Sequence, residues 1–249
     1  MNILLTNDDG IESPGLSLLA EALRKRSSHR VFVIAPDVDR SGFSHSIRFL
    51  GGPVKLSEKA PDTWACSGTP VDCVIMTLLG ILPVMPDLVI SGINRGANLG
   101  TDLVYSGTAA AARQASLGSI PAIALSLAGW GEFYWDMAVS WVLDHFEELK
   151  DFWKTDTFVN VNIPNRPEGP AGIRTAFPAR RIYHDKLSVY KARRGDFWCF
   201  VDLGNVIDKP EEGSDCDAVA KNFAAVSPVL IHPVNGPWDA GAGNGGSKG

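Results

Sequence analysis

The sequence predicts an α/β fold built on a mainly parallel sheet, and three observations carry that reading. Short apolar runs alternate with helical patterns through the first half of the chain, the rhythm of parallel strands joined by crossover helices. Hydrophobic residues make up 45% of the 249 positions and charged residues 20%, a globular balance that argues against disorder. A chain of this length buries a large core without disulfide or metal staples.

Asn2–Thr6 (NILLT) reads as a buried strand, and Pro14–Lys25 as a helix with leucines at Leu16, Leu18, Leu19 and Leu23. Val31–Ala35 is the next strand, stopped by Pro36. The polar stretch from Asp37 to about Ala60 is too long for an ordinary connection and predicts an inserted hairpin or a functional loop. Thr69–Leu79 is helical, with Pro70 suited to the first turn. Leu88–Ser91 is a strand, Thr108–Leu117 an alanine-rich helix and Ala122–Leu127 a further strand. Glu132–Lys150 reads as one long amphipathic helix, and Phe158–Ile163 as a strand closed by Pro164.

From Asn165 the character changes to proline, arginine and aromatics. Strands Ile182–Tyr190 and Phe197–Val201 meet around Gly195, Ser214–Asn222 forms a short helix, and Ala224–Leu230 a last strand. This half lacks the βαβ rhythm, so an antiparallel extension is expected, packed on the sheet or on another subunit. The division is one domain, with a core over 1–164, an extension over 165–235 and a flexible glycine-rich tail over 236–249.

A net charge of −5 gives no electrostatic reason for a DNA- or membrane-binding surface. It does not exclude a phosphorylated substrate, because a metal ion or a helix N-terminus reverses the local field. Cys66, Cys73, Cys199 and Cys216 show no metal-ligand spacing and read as reduced thiols. Met1-Asn2-Ile3 enters a strand at once, and no apolar run reaches the roughly 18 residues of a membrane helix. The expectation is a soluble cytoplasmic protein with neither a nucleic acid polymer nor a membrane as partner.

Parallel α/β sheets bind ligands at the carboxyl ends of their strands. After the first strand stands Asn7-Asp8-Asp9-Gly10, after the second the loop Asp37–His45, and after Leu88–Ser91 the segment Gly92–Asn98. Adjacent carboxylates behind a buried strand raise one another's proton affinity unless a cation neutralises them. An all-oxygen set of Asp, Asn and Ser suits Mg²⁺ or Mn²⁺. The competing reading is an Asx-turn with both aspartates solvated. The Gly- and Asn-rich Ser91–Asn98 segment can turn amides toward an anion or reads as a plain turn, and Ser106 before Ala109–Ala112 caps a helix whose first amides form an anion site. His45 is a candidate general acid or a loop hydrogen-bonding residue. Arg180-Arg181 reads as a solvated charge pair rather than a phosphate-steering one.

Thr6-Asn7-Asp8-Asp9-Gly10, Ala35-Pro36-Asp37 with Arg40-Ser41-Gly42 and Ser44-His45-Ser46-Ile47, and Gly68-Thr69-Pro70 with Asp72-Cys73-Val74 follow in order. Ser91–Gly100, Tyr105-Ser106-Gly107-Thr108, Asn160 and Asn162 with Pro164, Ser214-Asp215 with Asp217, and Val226-Ser227-Pro228 continue the series. Together they resemble the SurE family of survival-protein nucleotidases along nearly the whole chain. The resemblance implies a Rossmann-like three-layer sandwich with a C-terminal antiparallel hairpin used in dimer or tetramer formation. It implies hydrolysis of nucleoside 5′-monophosphates, with 3′-monophosphates and short polyphosphate as further substrates. The family's metal ligands fall on Asp8, Asp9, Ser41 and Asn94, around one divalent cation. Its phosphate-handling positions fall on Asn98, Ser106, Gly107 and Thr108. Arg113-Gln114 and Ser227-Pro228-Val229 depart from the family pattern and bear on subunit packing and substrate range.

The catalytic expectation falls on Asp8, which orients or deprotonates a water or attacks phosphorus itself. Adjacent Asp8-Asp9 lacks the Asp-x-Asp spacing of aspartyl phosphatases, which favours water. Two rivals are a receiver-like Mg²⁺-binding signalling domain and a nucleotide-binding Rossmann protein without hydrolysis. The first needs an acidic acceptor where Ser91-Gly92-Ile93-Asn94 stands, and the second a GxGxxG turn where Asp8-Asp9-Gly10 stands.

Overall fold

In the computed structural model of the chain, which describes residues 1–26, 28–202, 204, 206–208 and 211–232, the apolar run Asn2–Thr6 forms β1 near the middle of the sheet. Its side chains alternate between faces: Ile3 and Leu5 join one core cluster and Leu4 the other, as the two-residue period of a strand requires. Helix α1 (Pro14–Lys25) follows and leads to β2 (Arg30–Pro36), which pairs parallel to β1. A hairpin of β3 (Leu56–Ala60) and β4 (Thr63–Cys66) comes next, with β4 parallel to β2. Of the stretch Asp37–Ala60, expected as an inserted hairpin or a functional loop, most is loop, and only its last five residues form a hairpin arm, whose partner lies beyond Ala60. Helix α2 (Pro70–Leu78) starts at Thr69, whose hydroxyl accepts from the Asp72 N–H while Asp72 accepts from the Thr69 N–H, a reciprocal cap.

Strand β5 (Leu88–Arg95) lies on the other side of β1, followed by a 3-10 turn over Gly100–Val104, α3 (Gly107–Leu117) and β6 (Ala122–Ala128). The sequence ends this strand at Ser91, whereas β5 runs on to Arg95. Its register shifts between Ser91 and Asn94, and such a bulge re-aims side chains at a sheet rim. The expected single helix over Glu132–Lys150 is two, α4 (Trp135–Asp144) and α5 (Phe146–Asp151). They part at His145, whose Nδ1 lies 2.9 Å from the Trp141 carbonyl and whose ring stacks on Trp141 at 4.5 Å. The Trp141 carbonyl also accepts the His145 N–H at 3.1 Å, and the backbone leaves helical geometry at His145 (φ −105°, ψ 14°).

β7 (Thr157–Pro164) extends the parallel set. The complete order is β3-β4-β2-β1-β5-β6-β7-β13-β8, with β8 (Ile173–Thr175) and the antiparallel β13 (Ala224–Leu230) closing the far edge. One core cluster sets α1, α4 and α5 on one face, and the other sets α2 and α3 on the opposite face. This is the three-layer sandwich.

The strand expected over Ile182–Tyr190 breaks at His184-Asp185 into β9 (Arg181–Tyr183) and β10 (Lys186–Lys191). β10 pairs antiparallel with β11 (Phe197–Asp202), the C-terminal hairpin, while β9 pairs with β12 (Val206–Asp208). Helix α6 (Asp215–Ala220) is capped by Ser214. The tail expected to be flexible over 236–249 lies outside the described residues. Among the described residues no helix is long and apolar enough to cross a membrane.

Candidate active site

β1 stands between β2 and β5, parallel to both, so the chain leaves the carboxyl end of β1 toward β2 and later returns on its other side. Such a reversal of strand order opens a crevice at the strand ends. A cleft of about 550 Å³ occupies this crevice, and Asp8, Ser41, Asn94, Asn98 and Ser106 line it together. Asp9 lines the adjoining depression, and Arg95 borders both.

The loop after β1 is shaped by Asn7, whose Nδ2 donates to the Gly10 carbonyl and whose Oδ1 accepts from the Gly10 N–H. That turn points Asp8 at the start of α3. Asp8 is only 4% exposed. Its Oδ1 accepts from the Thr108 hydroxyl at 2.5 Å and its Oδ2 from the Gly107 N–H at 3.1 Å. Burial raises its proton affinity, against the lowering effect of the hydrogen bonds from Thr108 and Gly107. A β-carbon on Gly107 would stand 2.8 Å from the Asp8 Cβ, so only glycine lets helix and carboxylate approach this closely.

Asp9 turns the other way, its Oδ2 accepting from the Arg95 N–H at 2.9 Å. Burial lifts it to about 6, and the nearby Asp8 and Asp39 charges add to the rise. No salt bridge among the described residues neutralises either aspartate. Two adjacent carboxylates therefore share a desolvated corner, Asp8 relieved by the Thr108 hydroxyl and backbone dipoles and Asp9 by the Arg95 N–H and the more distant Arg95 charge.

Ser41 sits on the loop after β2, which the Arg40 N–H ties to the Asp8 carbonyl at 2.7 Å. Its hydroxyl donates to Asp39 at 2.6 Å. Asn94 is 9% exposed, and its Nδ2 is committed to the Gly96 carbonyl at 3.0 Å, which leaves Oδ1 as the atom able to meet a cation. Asn98 is clamped by Asn162, whose Oδ1 accepts its N–H at 2.8 Å and whose Nδ2 donates to its carbonyl at 3.0 Å. Asn160 donates to the same carbonyl, and the Asn98 Nδ2 donates to the Ser126 hydroxyl at 2.8 Å. The two asparagines of β7 thus hold the loop that carries Asn98.

Ser106 caps α3, accepting from the Ala109 N–H at 3.0 Å. Asp8, Ser41, Asn94, Asn98 and Ser106 meet in one cleft, whereas Gly107 and Thr108 reach it through their bonds to Asp8. The positive end of α3 therefore faces a carboxylate. His45 lies outside the cleft lining, with Nε2 2.9 Å from Gln114 Oε1. Arg181, read from sequence as a solvated charge, is instead ion-paired with Asp102 and shielded. Asp102, Tyr105, Tyr183 and Asp185 also line the cleft, and none was singled out from sequence. Tyr105 alone carried a local signal, its place directly before the Ser106 cap.

The donor set fits a hard divalent cation. Every available atom is oxygen, and an unneutralised buried carboxylate is the group such an ion relieves. No cluster of three His, Cys, Asp or Glu side chains suited to a metal occurs among the described residues. Ser41 and Asn94 bring further side-chain oxygens to the cleft beside Asp8.

The comparisons with known proteins bear on the family and the fold. The family model described as Survival protein SurE matches residues 3–185. The 5′-nucleotidase SurE of Syntrophotalea carbinolica is 38% identical over 238 residues, covering 94% of this chain and 93% of the relative. That of Kosmotoga olearia is 37% identical over 244 residues, covering 94% of each. The crystal structure of the SurE protein from Aquifex aeolicus superposes with a TM-score of 0.81 at 36% identity, covering 94% of this chain and 95% of that one. The strand order, the crevice at β1 and these likenesses lead to one conclusion: the chain belongs to the SurE family.

Proposed function

We propose that the chain is a divalent-metal-dependent phosphomonoesterase that hydrolyses nucleoside 5′-monophosphates to nucleoside and phosphate. The observation that carries the reading is the buried Asp8 carboxylate, set in the crevice beside β1 without a basic partner and aimed at the N-terminus of α3. The relatives named 5′-nucleotidase support the substrate class. Asp8, Asp9, Ser41 and Asn94 would hold one Mg²⁺ or Mn²⁺, which when bound supplies Lewis acidity toward the phosphoryl oxygens.

The chain's own groups do the rest. Asp8 orients the attacking water and takes its proton, a role suited to a carboxylate whose burial raises its proton affinity. Thr108 and Gly107 fix the two Asp8 oxygens, so the base does not rotate away from the water. Ser106 and Asn98 receive the phosphate, with Asn160 and Asn162 keeping Asn98 in place, while Gly107 and Thr108 act on it through the Asp8 carboxylate they hold.

The β10–β11 hairpin forms an arm that exposes Leu187, Tyr190, Trp198 and Phe200. Apolar surface of this extent supports a homodimer or homotetramer built through the arm. The free thiols of the buried Cys66 and Cys73 support a reducing cytoplasmic setting. Phosphate release from 5′-, then 3′-nucleotides and polyphosphate, before and after chelation, tests the proposal. Turnover that a chelator abolishes and Mg²⁺ or Mn²⁺ restores is expected. Absence of turnover with any divalent ion overturns it.

A further inference from the structure

Two tyrosines share the cleft with the Asp8 site. Tyr105 and Tyr183 line it, and their rings meet edge to face, 6.3 Å between centroids at 85°. Tyr105 is 57% exposed, so its ring is open to the cleft that it lines. Both are anchored on one residue. The Tyr105 N–H donates to the Asp102 carbonyl at 2.9 Å, and the Tyr183 hydroxyl donates to the Asp102 carboxylate, which also takes Arg181.

The strand beneath Tyr183 is fixed as firmly. The Thr101 hydroxyl accepts from the Arg181 N–H at 3.0 Å and donates to its carbonyl at 3.3 Å. Asp215 accepts from the N–H groups of Gly100 and Ala179, tying the 3-10 turn to the segment before β9. A β-carbon on Gly100 would lie 2.0 Å from the Ala179 carbonyl oxygen, so the two segments are in direct backbone contact. A rigid aromatic surface beside a phosphate-sized polar corner is what a base joined to a sugar phosphate needs. The cleft, at about 550 Å³, falls in the roughly 300–1,000 Å³ range of small-molecule sites and has room beyond the phosphate.

We infer that Tyr105 and Tyr183 form the nucleobase wall of the site, with Tyr105 stacking on the base and Asp102 and Arg181 acting as positioning residues for Tyr183. The inference rests on the nucleotidase reading and deepens it by assigning the residues that distinguish a nucleotide from a simple sugar phosphate. Stacking against an aromatic face tolerates any base, since every base has a π-face.

The test compares 5′-AMP with ribose 5-phosphate, the same ester without the base, and adds a calorimetric titration with adenosine that needs no turnover. Tyr105→Ala and Tyr105→Leu are expected to raise the KM for 5′-AMP about 5- to 150-fold, the range base stacking gives, with kcat within about threefold. The ribose 5-phosphate kcat/KM stays within about twofold, adenosine binding weakens in parallel, and Tyr105→Phe restores both. Tyr183→Phe, which keeps the ring but frees it from Asp102, raises the 5′-AMP KM by a smaller factor. Equal losses on both esters, or an unchanged 5′-AMP KM in Tyr105→Ala, overturn the wall. A wild-type chain inert toward every ester overturns the nucleotidase reading, and the adenosine titration then decides the wall by itself: binding that Tyr105→Ala weakens upholds it, and absent or unaltered binding overturns it.

Discussion

Thr108 and Asp8, separated by 100 positions in the chain, are joined by a 2.5 Å hydrogen bond from the threonine hydroxyl to the aspartate Oδ1. The bond couples the first turn of α3 to the loop after β1, and both face the crevice beside β1. A hydrogen bond to a charged group is worth about 1.5–3 kcal/mol. Thr108→Val, which keeps the shape and removes the hydroxyl, is expected to lower kcat/KM about 10- to 150-fold. Thr108→Ser retains most of the activity. Steady-state phosphate release by the two variants checks the difference.

Gly107→Ala separates activity from stability. The new methyl would lie 2.8 Å from the Asp8 Cβ and 2.9 Å from its Oδ2, so the carboxylate must move. A displacement of about 1 Å at a reacting group costs on the order of 100-fold in rate. The expected result is a loss of that order with a melting temperature within a few degrees of wild type, read by kinetics and thermal denaturation on one preparation.

The first strand, its acidic loop and the capped helix at Ser106 were legible because each is a local pattern: an apolar run, adjacent carboxylates, a hydroxyl before alanines. The crossover rhythm likewise gave the parallel sheet and the three layers. What stayed hidden depends on distant partners. Tyr183 and Asp102 lie 81 positions apart and nothing near either announces the other. Arg181 looks solvated beside Arg180 until the fold brings Asp102 to it. The break at His145 is a departure from helical backbone angles at a residue with neither proline nor glycine beside it, where the ring settles on Trp141. The bulge that carries β5 on to Arg95 exists only against β6.

Asp215 is a structural joint rather than a reacting group. Its two oxygens accept from the N–H groups of Gly100, Ala179 and Cys216 at 2.7–2.8 Å. Asp215→Ala leaves these buried donors without an acceptor, each costing about 1–3 kcal/mol. The melting temperature is expected to fall by several degrees or more, and 5′-AMP affinity to fall with it because the Tyr183 strand loses its tether.

The arm gives a separate expectation. Trp198 and Phe200 are 67% and 55% exposed on β11. Replacing both with serine removes apolar surface from an element that contributes nothing to either main core cluster. Light scattering is expected to show a smaller particle while far-ultraviolet circular dichroism is unchanged. A wild-type chain that is already monomeric refutes the arm's assembly role.

The central claim is that Asp8 binds the metal and acts on the water. Asp8→Asn preserves size and the Thr108 contact but removes the charge. The decisive measurement is phosphate release from 5′-AMP at saturating Mn²⁺ by wild type and Asp8→Asn, with Mn²⁺ affinity determined on the same samples. The account predicts turnover lower by about three orders of magnitude or more and weakened Mn²⁺ binding, with the fold retained. An Asp8→Asn chain that hydrolyses 5′-AMP at the wild-type rate contradicts it.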